Sequence, residues 1–275
     1  MLPTPSTSHV DPNRIYEPAE DSYLLLDTLS STNETNFLKH HFGQSGTQSR
    51  NAPTPSPIVL EVGTGSGVIL AFVTANAEAI FGRPDVLALG TDVNNFACQA
   101  TKQTVLQTCE GFARDMPSGL RRSPSESTGL LLATLGADLA SPIRGGMIDV
   151  LIFNPPYVPS AGVPDIKGNT LDSEPAPDDA KSRAESYERD SRLLALSYEG
   201  GVDGMEVINR LLEQLPQVLN RDKGVAYILL CQQNRPEETM QRIYNWVGDW
   251  YVEVVGRSGN VAGWEKLCII RIWKG

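Results

Sequence analysis

The sequence predicts an α/β fold, one mostly parallel sheet with helices on both faces. Three observations predict it. Short apolar runs of strand length alternate with stretches of helical periodicity from Ile58 to the end of the chain. Turns rich in glycine, proline or acid follow the strands, at the ends where open parallel sheets bind ligands. Finally, 275 residues, 40% hydrophobic and 20% charged, make a globular chain able to bury a core without disulfide or metal staples.

The elements read in order as follows. Residues 1–13 are rich in Pro, Ser and Thr and read as a flexible N-terminus, leaving 14–275 as a single domain. Ile15 to Leu29 reads as one amphipathic helix. Pro18 sits in its first turn, Glu20 and Asp21 lie where a helix N-terminus favours negative charge, and Leu24, Leu25, Leu26 and Leu29 form its apolar face. Residues 43–57 read as an inserted loop. Strand Ile58–Val62 leads to Gly63, Gly65 and Gly67 and a helix over Val68–Phe81. Strand Val86–Asp92 precedes a helix over Asn95–Thr108, and 110–128 reads as a polar insertion. Strands follow at Leu130–Leu135 and Ile148–Phe153, then a third insertion at 161–190. Helical pattern returns at Asp190–Ser197 and Met205–Leu219. Strand Gly224–Leu230, a helix over Glu237–Val247 and strands Tyr251–Val255 and Lys266–Trp273 complete the chain.

Charge and composition exclude several functions. Thirty-three acids against 23 bases give a net charge of −10, and the best basic cluster is Arg121-Arg122. Nucleic acid as the main partner is therefore disfavoured. The four cysteines, Cys98, Cys109, Cys231 and Cys268, form no CxxC pair and read as reduced, buried thiols. With only three histidines, His9, His40 and His41, no metal site is expected. The first residues lack the regions of a signal peptide, and no apolar run approaches the roughly 18–20 residues of a membrane span. A soluble, cytoplasmic protein is expected, with a nuclear pool allowed and no membrane partner.

Four motifs carry chemistry. Glu61-Val62-Gly63-Thr64-Gly65-Ser66-Gly67 lets the backbone approach a ligand, but Val68 breaks the dinucleotide fingerprint and no Gly-Lys-Ser/Thr of a P-loop follows. The bland alternative is a tight structural turn. Asp92, before Val93 and closing the second strand, can accept both hydroxyl protons of a ribose, or simply cap the next helix. Together the loop and the acid predict a nucleoside-containing ligand, with S-adenosylmethionine leading once the dinucleotide fingerprint fails. Asp138, before Leu139, follows the third strand and can meet an adenine amino group, or be an ordinary loop acid. The sharpest motif is Asn154-Pro155-Pro156-Tyr157, directly after the fourth strand. The prolines fix two φ angles and remove two N–H donors. Their carbonyls and the Asn154 amide oxygen can accept both protons of a planar –NH₂, and Tyr157 can stack on that group. Such a site suits methylation of an amide or aromatic amine by positioning and electrostatics, without a strong general base.

These motifs, in this order, resemble class I S-adenosylmethionine-dependent methyltransferases, with a Rossmann-like, seven-stranded, mostly parallel sheet. Tyr16-Glu17-Pro18-Ala19-Glu20-Asp21-Ser22, Leu60–Val68, Thr91-Asp92-Val93-Asn94 and Phe153–Val158 narrow the resemblance to one subgroup. This is the eukaryotic and archaeal HemK-type protein N5-glutamine methyltransferases, which modify the Gly-Gly-Gln glutamine of class I translation release factors. The resemblance runs from about Tyr16 to the end of the chain. It implies cofactor contacts at Tyr16, Ser22, Glu61, Gly63, Thr64, Gly65, Asp92, Val93, Asp138, Leu139 and Asn154. It implies that Asn154, Pro155, Pro156 and Tyr157 are catalytic and that Asn154, Pro155 and Tyr157 hold the substrate glutamine. Gly200-Gly201-Val202-Asp203-Gly204 fits the family's glycine stretch before a helix.

Two further expectations follow. Leu130–Leu135 carries no charge and no proline, and in this fold it is an edge strand, which invites pairing. The resemblance implies a small zinc-binding activator subunit, expected on this strand by β-augmentation unless insertion 110–128 covers it. Segment 161–190 reads as a solvated insertion or a substrate-recognition lid. The rival activities for the same Asn-Pro-Pro-Tyr site are methylation of adenine N6 in nucleic acid and of protein lysine. A non-catalytic, cofactor-binding subunit is the rival of a different class.

Overall fold

The computed structural model describes residues 2–43, 54–115, 127–164, 180–259 and 266–275. Among them, seven strands form one sheet: β1 (Ile58–Val62), β2 (Leu87–Asp92), β3 (Leu130–Gly136), β4 (Val150–Phe153), β5 (Val225–Cys231), β6 (Trp250–Arg257) and β7 (Leu267–Lys274). Their order is β3-β2-β1-β4-β5-β7-β6. The pairs among β1 to β5 are parallel, whereas β7 runs antiparallel to both β5 and β6. The central strands β4 and β5 are buried along their whole length. Such continuous burial requires apolar residues on both faces, which is why these strands read as unbroken apolar runs.

The helices are α1 (Glu20–Ser30), α2 (Thr32–Phe42), α3 (Val68–Ala75), α4 (Ala77–Phe81), α5 (Asn95–Asp115), α6 (Ala180–Ala195), α7 (Glu206–Val218) and α8 (Pro236–Tyr244). Helix α3 is buried on every side and packs between α1 and α5, which explains its all-apolar sequence. Helix α7 is amphipathic and buries Val207, Ile208, Leu211, Leu212, Leu215 and Val218. No described helix is long and apolar enough to cross a membrane.

Several expected boundaries move, each for a local reason. The first helix begins at Glu20, not Ile15, because Ala19 is extended (φ −125°, ψ −162°) and Pro18 biases its predecessor the same way. Ile15 is instead buried beside Ala97 and Ala100 of α5. Helix α2 was not legible as a separate element; Ser31 starts it by accepting a hydrogen bond from the Glu34 N–H. The helix expected over Val68–Phe81 breaks at Asn76 (φ −104°, ψ 25°). Helix α5 runs on to Asp115, so expected insertion 110–128 begins as helix. Its residues 116–126, with Arg121-Arg122, lie outside the described residues. Residues 44–53 of expected insertion 43–57 lie outside them too. Helix α6 occupies the end of expected insertion 161–190, of which residues 165–179 are outside the description.

The N-terminus also differs from expectation. Residues 2–13, read as flexible, lie along the protein. Val10 packs against the small cluster of Ile15, Ala97 and Ala100, and Leu2 against the main core. His9 Nε2 lies 3.2 Å from Thr104 Oγ1. The alanines of α5 leave room that this segment fills.

One charged cluster is deeply buried. Tyr227 of β5 stands in register with Arg271 of β7, and Glu34 of α2 meets both. Arg271 Nη1 donates to both Glu34 carboxylate oxygens at 2.9 and 2.8 Å, and the Tyr227 hydroxyl donates to Oε2 at 2.8 Å. Arg271 also pairs with Glu253, and its guanidinium lies 3.6 Å from the Phe37 ring centre and 4.7 Å from that of Trp273. Burial, then Glu34, push the Tyr227 phenol well above its usual range.

Two outcomes are expected from this architecture. Glu34→Ala leaves a buried guanidinium without its main counter-charge and should cost about 3–5 kcal/mol in urea denaturation. All four cysteines are buried, and burial raises the Cys98 and Cys268 thiols to about 11. A thiol reagent at pH 8 should therefore label the native chain far more slowly than the urea-unfolded chain, which should titrate four thiols.

Candidate active site

The chain steps from β1 outward to β2 and β3, then returns to β4 on the other side of β1. This reversal of winding opens a cleft beyond the C-terminal ends of β1 and β4. Val62 pairs with Phe153, so Gly63 and Asn154 leave the sheet side by side. The cleft encloses about 1070 Å³, open solvent included. Of the residues implicated by sequence, Tyr16, Ser22, Glu61, Gly63, Thr64, Gly65, Asp92, Val93, Asp138, Leu139, Asn154 and Pro156 all line it.

The glycine loop is built from left-handed backbone. Gly63, Gly65 and Gly67 have φ of 66°, 50° and 77°. The reasons for glycine differ along the loop. A Cβ on Gly67 would lie 2.5 Å from the Thr101 Cα of α5, whereas one on Gly65 would meet nothing within 4 Å. Gly67 permits close packing, and Gly65 keeps the loop backbone open to the cleft. Thr64 Oγ1 in this loop is buried without a hydrogen-bond partner.

Asp92 ties this loop to the next. Its Oδ2 accepts from the Gly65 N–H at 2.9 Å and its Oδ1 from the Asn94 N–H at 2.8 Å. The cap of α5 is instead Asn94, whose Oδ1 accepts from the Phe96 N–H at 3.0 Å. Burial raises the Asp92 carboxyl above its usual range, against the backbone hydrogen bonds from Gly65, Asn94 and Val93. Glu61 is more extreme. Its Oε2 accepts from the Leu70 N–H at 2.8 Å in the first turn of α3, and burial pushes its carboxyl well above the ordinary value.

On the far side, Asp138 pairs with Arg210 of α7. The Ala140 N–H donates to Gln214 Oε1 of the same helix at 3.1 Å. Between them Leu139 is buried with φ 52°, an unusual conformation for a branched side chain. Helix α7 thus pins the Asp138 loop at two points.

Asn154 is held at one end of its side chain. Its Nδ2 donates to Asp21 Oδ2 at 3.1 Å, while its Oδ1 is buried without a partner. The other Asp21 oxygen accepts from the Ser22 N–H at 2.6 Å and from the Ser22 hydroxyl at 3.2 Å. Pro155 and Tyr157, expected to reach the substrate, do not line the cleft. Both are buried, and the Tyr157 side chain belongs to the core. The Tyr157 carbonyl accepts from Asn234 Nδ2 at 3.1 Å, and the same nitrogen donates to the Asp203 carbonyl at 3.0 Å. The glycine stretch 200–204 lies against this turn: a Cβ on Gly204 would fall 2.0 Å from the Tyr157 carbonyl oxygen. Its glycines are needed because two loops touch backbone to backbone.

Sequence reasoning missed several residues of the site. Asp21 was read only as a favourable charge at a helix start. Arg14, Asn94, Leu193, Leu196, Ser197 and Arg210 also line the cleft. Asn94 Nδ2 donates to the Arg14 carbonyl at 2.9 Å, which brings the N-terminal segment over the cleft. No periodicity marks these positions, because they meet only through the tertiary fold.

The sheet order with one reversed strand, the glycine loop after β1 and the acid at the end of β2 define a class I methyltransferase fold. No protein-family model matches the chain. It is 28% identical over 279 residues to the eRF1 methyltransferase catalytic subunit mtq2 of Schizosaccharomyces pombe, covering 100% of this chain and 96% of that protein. It is 28% identical over 284 residues to methyltransferase HEMK2 of Mus musculus, covering 99% and 97%. Among solved structures, a chain of the E. cuniculi Mtq2–Trm112 complex superposes with a TM-score of 0.49 at 23% identity, covering 95% of this chain and 99% of that one. The HemK-type resemblance drawn from the motifs is thus matched by similarity along the whole chain.

Two substitutions separate the roles of the loop glycines. Gly67→Ala should destabilise by at least about 2 kcal/mol in urea, because backbone must move. Gly65→Ala should cost only the roughly 1–2 kcal/mol of left-handed strain. For Glu61, the folded chain keeps a proton that the unfolded chain has released, so its contribution falls as pH rises above 4.5 towards the raised folded value. Glu61→Gln should therefore be more stable relative to wild type at pH 7 than at pH 4, read by thermal melts at both values.

Proposed function

We propose that this protein is an S-adenosylmethionine-dependent methyltransferase that methylates the side-chain N5 of the Gly-Gly-Gln glutamine in a class I translation release factor. The observation that carries the reading is Asn154 Oδ1, an unpartnered buried acceptor in a residue that lines the cleft at the switch point. Buried polar atoms are ordinarily satisfied, so an orphan in a cleft marks a place for a donor. A primary amide brings such a donor.

The cleft suits the cofactor. S-adenosylmethionine, when bound, supplies a methyl group on a cationic sulfonium. Acidic side chains outnumber basic ones in the cleft: Asp21, Glu61, Asp92 and Asp138 against Arg14 and Arg210. Asp92, at the end of β2, is the acceptor for a ribose hydroxyl, and Asp138 with Leu139 frames the adenine. Thr64 Oγ1, Gly63 and Gly65 line the path between, with Tyr16, Ser22 and Val93 at the rim. Holding both N–H bonds of the amide aims its nitrogen and draws its lone pair out of conjugation. Catalysis then rests on position and on fixed dipoles.

The partner reading rests on the sheet edge. β3 closes one side of the sheet, and Leu130 and Leu132 on it are 53% and 48% exposed. A bulge falls at Leu132, between the pairs Ala88–Leu131 and Leu89–Ala133. An exposed apolar edge is ordinarily blunted or covered. The S. pombe relative is named as a catalytic subunit, which supports a second subunit here as well. A small zinc-binding activator adding a strand at Leu130–Leu135 is the expected occupant.

Methyl transfer from labelled S-adenosylmethionine tests the reading, with the activator present. Label should enter a class I release factor and not its Gln→Arg variant in Gly-Gly-Gln. Label on adenine-containing DNA or on protein lysine instead would replace the substrate class. Asn154→Ala should lower kcat by about a hundredfold or more while the cofactor still binds. Asp92→Ala should weaken cofactor binding by at least roughly tenfold in calorimetry. Leu130→Lys with Leu132→Lys should abolish copurification of the activator.

A further inference from the structure

We infer that Asp21 is a positioning residue that sets which way the Asn154 side-chain amide faces. The inference rests on the proposed reaction for its kinetic consequence, but its structural basis is independent. A carboxamide is nearly symmetric in shape: its oxygen and nitrogen can exchange places by a half-turn. Which end faces a site depends on the partner at the other end. Here that partner is a carboxylate. An ionised carboxylate only accepts hydrogen bonds, so Asp21 Oδ2 pairs with Asn154 Nδ2 at 3.1 Å and repels the inverted amide.

The geometry around Asp21 supports this assignment. Asp21 is 4% exposed and lines the cleft. Its other oxygen is occupied by the Ser22 N–H at 2.6 Å and the Ser22 hydroxyl at 3.2 Å, which leaves Oδ2 for Asn154. The contact spans 133 positions of sequence, from the first turn of α1 to the turn after β4. Its consequence is chemical selection. With Nδ2 committed to Asp21, Asn154 presents Oδ1 as an acceptor, and the site recognises an N–H donor such as a primary amide. An inverted Asn154 would present N–H to N–H and reject the same group.

The test compares full-length wild type with Asp21→Asn and Asp21→Ala. The Asn154 side-chain amide is assigned in ¹⁵N spectra by its loss in Asn154→Ala. Its protons should exchange slowly in wild type, faster in Asp21→Asn, whose side chain can pair in either sense, and fastest in Asp21→Ala. The kcat for glutamine methylation should fall in the same order, by roughly ten- to hundredfold for Asp21→Ala. The kcat at saturating cofactor should fall by more than the cofactor affinity does, as expected for a group that acts on the methyl acceptor. Equal Asn154 exchange in wild type and both variants would overturn the assignment, as would a fall in cofactor affinity that accounts for the whole kinetic loss. If Asp21→Ala fails to fold, the isosteric Asp21→Asn carries the comparison. If wild type transfers no methyl to glutamine, the proposed function fails, and the exchange series alone decides the role of Asp21.

Discussion

The buried pairing of Glu34 with Arg271 and Tyr227 is the interaction on which the site depends most. It joins helix α2 to the middle of β5 and β7. Helix α1 runs directly into α2 through Ser31, so fixing one fixes the other. Asp21, in the first turn of α1, can then reach Asn154 beyond β4. A buried ion pair is expensive to desolvate, and apolar residues often serve stability equally well. What the pair supplies here is a defined seat for α2: Nη1 of Arg271 faces Glu34, Nη2 faces Glu253, and Phe37 and Trp273 lie against the guanidinium.

The cleft follows a second constraint, the switch in winding between β1 and β4. The reversal places a glycine turn beside an Asn-Pro-Pro turn with no covering helix between them. Each turn is then locked by a neighbouring element. Asp92 holds the glycine loop through Gly65, α7 holds the Asp138 loop through Arg210 and Gln214, and Asn234 holds the Tyr157 carbonyl. Rigid support of this kind keeps acceptors aimed without reorganisation when a ligand enters. Glu61 and Asp92 are raised in pKa by burial, and a cationic ligand would favour their ionised forms.

Each edge strand of the sheet has one paired neighbour, β6 against β7 and β3 against β2, and on β3 Leu130 and Leu132 stand open beside a bulge. The open edge is continuous with the active-site side of the sheet, since Asp138 follows β3 by two residues. A subunit docked on that strand would therefore bear on the loop that carries Asp138 and Leu139. This gives the proposed activator a physical route to the cofactor end of the cleft as well as to stability.

Much of this was legible in the chain itself. The apolar runs placed all seven strands to within two residues at nearly every boundary, because strands buried on both faces must be apolar throughout. The turns at Gly63–Gly67, Asp92 and Asn154 were legible because left-handed backbone, a fixed φ and a carboxylate each demand particular residue types. Other features were decided only in three dimensions. Asp21 looks like a helix-start acid until α1 is seated. The place of Tyr157 among the core side chains, and of Val10 beside the alanines of α5, comes only from the fold. Local chemistry writes itself into residue type and spacing. The partner of a side chain across 133 positions does not, because only the packed sheet brings the two together.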